Sequence, residues 1–355
     1  MSKRHQQKYD SLRNELFDYF KTMQLQPDDQ LPEIREILKT ELSKAAVNRT
    51  LLKFEKEGII RKKRGQGFFI SRVEPKANIK QAALIIPKDF SSHKMFLNIL
   101  MGIRTVFDNS NVGLLVSISN MNHEKEMETI EMLISKDIDG MIIFLEDNYR
   151  ENYSHIAELK KNNYPFVLID RYIPEIETDY VIINNISTMF RICSYLKYEN
   201  NCNKIIYIQD TDSPNNISSS AEKLEGFKQA VKILYDEDEP VITTLEEFTE
   251  NIDSYSENNK SLGVCCNHDA IVADVLSRLR INEKEVPANV HLFGYNNSYE
   301  TPQFPTVEQF NDKVGAAAAE ILIEKFNNPE ASLKQMRIEP KLILPDGTGN
   351  FYQEP

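Results

Sequence analysis

The chain has 355 residues, of which 41% are hydrophobic and 27% are charged, as is typical of a soluble globular protein with two or three compact units. It has no apolar run of about 18 residues, so we expect no membrane span, and its polar N-terminus lacks the apolar core of a secretory signal. The four cysteines have no paired spacing, which argues against structural disulfides and a zinc site and fits a cytoplasmic location.

The net charge of −12 is unevenly divided along the chain. Residues 1–72 carry 16 Lys and Arg against 10 Asp and Glu, a net charge of +6. Residues 73–355 carry 26 against 44, a net charge of −18. A duplex of DNA would attract the basic segment and repel the acidic remainder, which orients the basic segment toward it.

The first 70 residues predict short helices followed by a β-hairpin. Apolar spacing predicts helices over residues 9–23, 33–39 and 44–57. Ser43 is a natural N-cap for the third helix, and Gly58 is a natural stop. Two strands, Ile59–Ile60 and Phe68–Ile70, flank a turn at Gly65–Gly67. This order of helix, turn, helix and basic hairpin supplies a helix for the major groove and a cationic ribbon for phosphates.

Cationic and small residues of this segment are the candidate DNA contacts. Arg49 is the best candidate to reach a guanine, because its guanidinium can donate two hydrogen bonds to one base edge. Its cationic neighbours could instead form a solvated face, but their position directly after a turn favours DNA. Gly65 and Gly67 allow close backbone approach, and they equally suit an ordinary hairpin turn. The candidates are Arg35, Ser43, Lys44, Asn48, Arg49, Arg61, Lys63, Arg64, Gly65, Gln66 and Gly67.

Beyond residue 80, short apolar strands alternate with amphipathic helices. The predicted strands cover residues 82–86, 113–118, 140–144, 165–169, 204–208, 263–266 and 291–295. The predicted helices cover residues 96–107, 124–135, 153–162, 187–198, 221–234, 270–279 and 314–326. This alternation is typical of a parallel sheet covered on both faces, and it starts a second time near residue 187. Two such lobes form a cleft that binds small molecules at the carboxyl ends of the strands.

The predicted fold class is therefore α/β, with an N-terminal winged helix-turn-helix followed by a two-lobed, doubly wound parallel-sheet domain. We predict a DNA-binding domain at 1–72, a linker at 73–80 and an effector-binding and dimerisation domain at 81–350. Lobe 1 would comprise about 81–173 and 306–332, and lobe 2 about 174–305 and 333–350. The chain would cross between them near 172–176, 303–307 and 331–335.

The N-terminal segment resembles the winged-helix domain of GntR-type bacterial repressors. The stretches that carry this resemblance are Pro27–Arg35, Leu42–Leu51, Glu57–Ile60 and Gly65–Ile70. Two positions depart from the family pattern: Lys44 replaces the usual arginine, and Asn48 stands where an arginine is common. The resemblance implies binding to double-stranded operator DNA, and the departures imply an operator unlike the family's usual sites.

The larger segment resembles the sugar-sensing core of LacI-type repressors and periplasmic sugar-binding proteins. The stretches that carry this resemblance are Ile169–Arg171, Lys223–Phe227, His268–Asp269, Val286–Val290, Gly294–Asn297 and Pro305–Gln309. It implies a periplasmic-binding-protein-like fold that binds a small carbohydrate. The combination of the two domain types is similar to that of arabinose-repressor-like regulators.

Seven residues are candidate effector contacts: His93, Phe96, Asp170, Arg171, Lys223, Asp269 and Asn296. Asp170, Asp269 and Asn296 follow predicted strands, where they could bond sugar hydroxyls or cap helices. The family resemblance favours ligand contact. Arg171 and Lys223 could instead form surface ion pairs. The family usually has a ligand-binding arginine at Lys223, and a lysine offers a point charge in place of a planar fork.

These patterns predict a non-enzymatic, homodimeric repressor that a sugar or sugar-like effector releases from its operator. Three alternatives stay open: a regulator that senses a purine or another non-sugar metabolite, an activator, and a solute-binding protein without DNA function. The six histidines show no metal-ligand spacing, and no nucleotide loop or nucleophile motif is found. The sequence therefore predicts no metal, no cofactor and no catalytic residue.

Overall fold

The computed structural model describes residues 3–32, 44–71, 79–88, 94–147, 153–210, 217–299, 302–346 and 351–353, with the backbone alone for 3–11 and 44–47. The chain divides into two compact units, Met1–Ile79 (unit 1) and Lys80–Pro355 (unit 2). Among the described helices, none has the length and apolar character needed to cross a membrane.

Unit 1 packs helices and a hairpin around one apolar core. Its described elements are α1 (Lys3–Thr22), α2 (Lys44–Lys56), β1 (Ile60–Lys63) and β2 (Gly67–Ile70). The strands pair antiparallel with Ile60 opposite Ile70. Leu16, Phe20 and Phe54 are buried in the shared core. Burial of these large side chains is the main favourable term for a unit this small.

Gly58 ends α2, as the sequence predicts. Its φ of 68° lies in the left-handed region, which glycine adopts without a Cβ clash. The predicted helix at 33–39 and its successor's N-cap Ser43 lie outside the described residues.

Unit 2 alternates strands and helices in the predicted way. Its strands are β3 (Gln81–Ile86), β4 (Gly113–Ile118), β5 (Gly140–Ile143), β6 (Phe166–Ile169), β7 (Tyr180–Ile183), β8 (Lys204–Ile208), β9 (Val241–Thr243), β10 (Leu262–Cys266), β11 (Val290–Phe293), β12 (Thr306–Glu308), β13 (Gln335–Ile338), β14 (Lys341–Pro345) and β15 (Phe351–Gln353). Its helices are α3 (Lys94–Ser110), α4 (His123–Ser135), α5 (Ser154–Lys161), α6 (Asn185–Tyr198), α7 (Ser218–Tyr235), α8 (Leu245–Glu257), α9 (Asp269–Ile281) and α10 (Asn311–Asn327).

Lobe 1 is built on a parallel sheet with the strand order β13-β7-β6-β5-β3-β4. Its inner strands β3, β5, β6 and β7 are buried on both faces, whereas the edge strands β4 and β13 are partly exposed. Helices α3 and α10 pack on one face, where Ile99 and Leu322 join the core. Helices α4 and α5 cover the other face through Leu133 and Ile156.

Lobe 2 is built on a parallel sheet with the strand order β11-β10-β8-β9. Helices α6 and α7 cover one face through Leu196 and Phe227. Helices α8 and α9 cover the other through Phe248 and Val275. A separate antiparallel sheet, in the order β12-β14-β15, is added to this lobe.

Strand pairing moves the lobe boundaries away from the predicted ones. β7 pairs with β6, and β13 pairs with β7, so both belong to lobe 1. β12 pairs with β14 and belongs to lobe 2. The chain therefore crosses between lobes after β7, before α10 and between β13 and β14. The predicted crossovers near 172–176, 303–307 and 331–335 each come about one short strand before these passages, because β7, β12 and β13 continue the lobe that the chain is about to leave.

Candidate DNA-binding surface and effector site

The hairpin of unit 1 presents its basic tip to solvent. Arg61, Arg64 and residues 65–67 are exposed, whereas Lys63 is half-buried. Gly65 and Gly67 have φ values of 75° and 94°, so the turn between the strands requires glycine at both positions. This geometry is what the sequence predicts for a cationic ribbon.

Neighbouring side chains hold the hairpin in place. Gln30 donates a hydrogen bond of 2.9 Å from Nε2 to the carbonyl oxygen of Gln66. The ammonium of Lys63 lies 4.0 Å from the ring centroid of Phe69. Arg61 pairs with Asp28, which offsets part of its charge. Arg64, at the exposed tip, therefore carries the more available charge of these two arginines for a phosphate.

Helix α2 has one face in the core and one in solvent. Thr50 and Phe54 are buried, whereas Asn48, Arg49 and Leu52 are exposed. Arg49 therefore lies on a surface that can approach a groove. Arg35 and Ser43 lie outside the described residues, and only the backbone of Lys44 is described.

In unit 2, Asp170 and Arg171 follow directly after β6, at the carboxyl edge of the lobe 1 sheet. Asp170 has a φ of 63°. Arg171 donates a hydrogen bond of 2.8 Å from Nη1 to the carbonyl oxygen of Leu145, and its Nη2 lies 2.6 Å from Oδ1 of Asp147. Its guanidinium also lies 5.0 Å from the ring centroid of Phe144. Arg171 therefore holds the segment after β5 to the segment after β6.

Lys223 is buried on α7 of lobe 2. It donates a hydrogen bond of 2.9 Å to the carbonyl oxygen of Asn267, and its ammonium lies 4.2 Å from the ring centroid of Tyr295. Burial lowers the pKa of Lys223 to about 8, although nearby Asp170, Asp269 and Asp210 favour the charged form. The alternative of a surface ion pair is excluded for Lys223, because only 6% of this residue is exposed.

Asp170 and Lys223 bring opposite charges from the two lobes into one region. Burial raises the pKa of the Asp170 carboxyl, and the charges of Arg171 and Lys223 oppose that rise. Carboxylate and ammonium groups at the carboxyl ends of strands can bond the hydroxyl groups of a small ligand.

Asp269 is fully buried at the start of α9. Both of its carboxylate oxygens accept hydrogen bonds from other groups of the chain. Oδ1 accepts a hydrogen bond of 2.6 Å from Oγ1 of Thr306, and Oδ2 accepts one of 2.7 Å from the backbone N–H of Ser298. A Cβ at Gly294 would lie 2.2 Å from Oδ1, so the absence of a side chain there admits the carboxylate. Burial raises the pKa of Asp269, and its hydrogen bonds oppose that rise.

The remaining predicted effector residues have different surroundings. Phe96 is 2% exposed and packs edge-on against Phe144 with ring centroids 5.3 Å apart, so it belongs to the lobe 1 core. Asn296 is half-buried with a φ of 102°, a strained value for a residue with a side chain. His93 lies outside the described residues.

The sequence did not indicate the network that joins the lobes around Glu222. Glu222 Oε1 accepts a hydrogen bond of 2.8 Å from Nη2 of Arg337 and one of 3.1 Å from the hydroxyl of Tyr172. Ser218 Oγ accepts a hydrogen bond of 3.0 Å from the backbone N–H of Tyr172. Asn185 Nδ2 lies 3.4 Å from Glu222 Oε2 and extends the network toward Tyr295. No sequence motif marks Glu222 or Arg337, because their pairing spans 115 residues.

The fold also brings together histidines that are far apart in sequence. His123, Glu126 and His155 place one ligand atom each within 4.8 Å of the others. Their spacing in sequence does not indicate a metal-ligand group, because the three residues meet only in the folded chain. Tertiary contact between α4 and α5 produces the cluster.

The comparisons with known proteins agree with this architecture. Residues 197–346 match the family described as periplasmic binding protein-like domain. Unit 2 has the α/β fold of a periplasmic-binding-protein-like domain. A LacI family transcriptional regulator from Enterococcus faecium, solved with bound ribose, covers 74% of this chain and 96% of its own with a TM-score of 0.58. At 19% identity, this likeness establishes the α/β fold.

Among curated proteins, the chain is similar to transcriptional regulators. It is 24% identical over 360 residues to the arabinose metabolism transcriptional repressor of Geobacillus stearothermophilus, which covers 96% of this chain and 97% of that protein. It is 26% identical over 234 residues to the probable HTH-type transcriptional regulator EndR of Paenibacillus polymyxa, which covers 64% of this chain and 68% of that protein. These relatives support the LacI-type part of the resemblance, and the GntR-type assignment of unit 1 stays a prediction.

Proposed function

We propose that this protein is a transcriptional repressor whose hold on operator DNA is released by a sugar or sugar-like effector. The observation that carries the proposal is the joining, in one chain, of an exposed basic helix and hairpin to a two-lobed domain in which Asp170 of lobe 1 and Lys223 of lobe 2 carry opposite charges. The first part can bind a duplex, and the second can bind a small polar ligand.

Unit 1 would bind the duplex as a winged helix of the GntR type. Arg49 on the exposed face of α2 would reach a base edge, and Arg64 with the glycine turn would lie along phosphates. The match to the arabinose metabolism repressor extends over 96% of this chain. Unit 2 makes up less than four fifths of this chain, so the aligned residues must include much of unit 1.

Unit 2 would bind the effector between its lobes. Asp170 and Arg171 from lobe 1 and Lys223 from lobe 2 supply acceptors and donors for hydroxyl groups. Ligand binding would favour one arrangement of the lobes, and a differential affinity of about 1–3 kcal/mol would change operator affinity 5- to 150-fold. The reported ribose complex of the Enterococcus faecium regulator supports a carbohydrate as the ligand class.

A regulator that senses a purine or another non-sugar metabolite is the second candidate. The position of Lys223 favours it, because this buried lysine already bonds the carbonyl oxygen of Asn267 and cannot act as a planar fork. A ligand with ring acceptors would suit a single ammonium better than a ligand with paired hydroxyl groups.

The test begins with duplexes selected from a random library by the full-length protein. Binding of a selected duplex is followed by fluorescence anisotropy in wild type, Arg49→Ala and Arg280→Ala. Arg280 is an exposed arginine of unit 2, so its loss removes the same charge elsewhere. We expect Arg49→Ala to weaken binding by about 1–3 kcal/mol and Arg280→Ala to leave it unchanged. Selection of no duplex would refute the DNA-binding proposal.

The same assay with added ligands tests the effector. Arabinose, ribose and purine bases are titrated into the protein–duplex complex. A sugar that lowers operator affinity at least fivefold supports the first candidate, and a purine that does so supports the second. Unchanged operator affinity with every member of a broad sugar panel would refute sugar sensing while leaving DNA binding intact.

We further propose that the protein acts as a homodimer through α3 and β4. Leu97 and Met101, one turn apart on α3, are 46% and 54% exposed, and Leu115 is exposed on β4, an edge strand. An apolar surface of this kind is typical of an interface. We expect Met101→Asp to shift the sedimentation coefficient toward a monomer. Ile233→Asp, which changes an exposed apolar residue of α7, should not.

A further inference from the structure

Lobe 1 contains a compact group of histidine and glutamate side chains beside the candidate effector site. His123 and Glu126 lie on the first turn of α4, and His155 lies on the first turn of α5. Glu146 lies in the segment that follows β5. Both helices follow strands of one parallel sheet, so these side chains meet at its carboxyl edge.

The contacts within this group are short. His155 Nε2 lies 2.9 Å from Glu126 Oε1, and His123 Nδ1 lies 3.3 Å from Glu146 Oε1. The two imidazole rings have centroids 5.0 Å apart. Glu126 Oε2 accepts a hydrogen bond of 3.1 Å from the backbone N–H of Glu146. Two imidazoles and two carboxylates therefore converge on one small volume.

Three members of the group are buried, His123 is half-buried, and several of the imidazole nitrogen atoms lack a hydrogen bond. Glu126 and Glu146 are fully buried, and 8% of His155 is exposed. Both ring nitrogens of His123 and Nδ1 of His155 are buried without a hydrogen-bond partner among the residues that the structure describes. A buried polar atom without a partner costs free energy, so such atoms in a native protein call for a water molecule or an ion.

We propose that His123, Glu126 and His155 bind a divalent transition-metal ion, with Glu146 completing the donor set. The three residues already place a ligand atom each within 4.8 Å of one another, and small side-chain rotations would bring these atoms to coordination distance. A dication would offset the negative charge of the two buried carboxylates, Glu126 and Glu146.

The donor atoms select the class of metal. Imidazole nitrogen suits Zn²⁺, Cu²⁺, Ni²⁺ and Fe²⁺, whereas Ca²⁺ and Mg²⁺ prefer oxygen ligands alone. Zn²⁺ accepts mixed nitrogen and oxygen donors in a tetrahedron and has no redox chemistry, which makes it the most direct probe.

An ion at this position would also act on the neighbouring effector site. Glu146 adjoins Asp147, whose carboxylate binds Arg171. Coordination by Glu146 would fix residues 144–147 after β5 and, through Asp147, the guanidinium of Arg171. Metal binding itself does not depend on the proposed function, because it needs neither DNA nor a sugar.

The test is a calorimetric titration of chelator-treated, full-length protein with Zn²⁺. We expect one tight site per chain in wild type. His155→Gln and Glu126→Gln should each weaken Zn²⁺ binding at least about 100-fold, because even outer residues of metal sites change affinity 10- to 100-fold. His291→Gln is the control, since His291 lies on β11 in lobe 2 and should leave Zn²⁺ affinity unchanged.

A spectroscopic measurement on wild type keeps the proposal testable should a variant fail to fold. Zn²⁺ should shift the imidazole ¹⁵N resonances of two of the six histidines. Visible absorption of the Co²⁺-loaded protein should indicate nitrogen and oxygen ligands in a four-coordinate site. Three results would overturn the proposal: no stoichiometric Zn²⁺ binding, wild-type affinity in folded His155→Gln, or unchanged histidine spectra.

Discussion

Lys223 shows how burial changes the chemistry of a single side chain. An ordinary lysine has a pKa of 10.5, whereas burial among the side chains of lobe 2 lowers the pKa of Lys223 to about 8. The resemblance indicated this position as a ligand contact. It could not indicate the loss of basicity, because that depends on the tertiary burial of α7.

The lowered pKa of Lys223 can be measured directly by NMR. The ¹³Cε resonance of Lys223, assigned by comparison with Lys223→Met, should titrate with a midpoint near pH 8. In denaturant the same resonance should titrate near the ordinary value of 10.5. An unchanged midpoint in the folded protein would contradict the burial of its ammonium.

The lowered pKa of Lys223 also makes the stability of the folded protein depend on pH. The folded state binds fewer protons than the unfolded state between pH 8 and pH 10.5. The free energy of unfolding should therefore gain a contribution that rises with pH across this window, by at most about 3 kcal/mol. Lys223→Met should lose that rise, which urea denaturation at several pH values would measure.

Asp269 carries a second prediction at this scale. Asp269→Ala would leave the hydroxyl of Thr306 and the N–H of Ser298 without their acceptor. We expect the free energy of unfolding to fall by about 2–3 kcal/mol in urea denaturation. Asp274→Ala, at an exposed position on the same helix, is the control and should change it by less than about 0.5 kcal/mol.

At the scale of elements, α3 and α10 approach each other closely enough for their backbones to touch. A Cβ added at Gly102 would lie 1.9 Å from the carbonyl oxygen of Asp312, and one at Gly315 would lie 2.1 Å from that of Ile99. The two helices thus present glycine to each other's backbone. A side chain at either position would therefore clash with the backbone of the opposite helix.

Gly102→Ala tests this contact. In a solvent-exposed helix the change would stabilise by about 1 kcal/mol. Here we expect the clash to outweigh that gain and lower the free energy of unfolding by about 1–3 kcal/mol. Thr105→Ala, at an exposed position of α3, should be neutral or slightly stabilising. A more stable Gly102→Ala variant in urea denaturation would contradict the observed helix contact.

The sequence predicts elements well where a local pattern marks them and poorly where pairing depends on distant residues. The apolar runs of β3, β4 and β8 predict those strands to within a residue. β13 reads Gln-Met-Arg-Ile and is mostly exposed, so it has no apolar run to reveal it. It becomes a strand only by pairing with β7, which is about 155 residues earlier in the chain.

The residues of the candidate effector site divide in the same way, into those that a local motif marks and those that only the fold brings together. Asp170, Arg171 and Lys223 could be named from short motifs that surround them in sequence. Glu222 and Arg337 could not, because their contact exists only after two lobes meet. The histidine cluster was missed for the same reason, since α4 and α5 bring it together.

At the scale of the whole molecule, Glu222 joins the two lobes through hydrogen bonds of its carboxylate. It is buried on α7 of lobe 2, and it binds Arg337 on β13 and Tyr172 after β6, both in lobe 1. Its hydrogen bond raises the pKa of Arg337. A link of this kind favours the closed arrangement of the lobes.

Glu222→Ala should therefore favour opening of the lobes. Loss of hydrogen bonds worth about 2 kcal/mol would lower the ratio of molecules with closed lobes to molecules with open lobes about 30-fold. Spin labels on Thr105→Cys and Lys228→Cys, one in each lobe, would report this as a longer and broader distance distribution. The native cysteines are buried and should not be labelled. Glu225→Ala, exposed on α7, is the control, and an unchanged distribution in Glu222→Ala would refute the link.

Because the chain passes between the lobes three times, the ribosome completes lobe 1 only late in synthesis. The sheet of lobe 1 needs β13, so its outer strand is absent until residue 338 has been translated. The face of this sheet that α10 covers also stays open to solvent while all of β8 to β12 is made. Unit 1 can fold early because its elements are contiguous. Nascent chains stalled before residue 311 should bind chaperones more strongly than those released after residue 338.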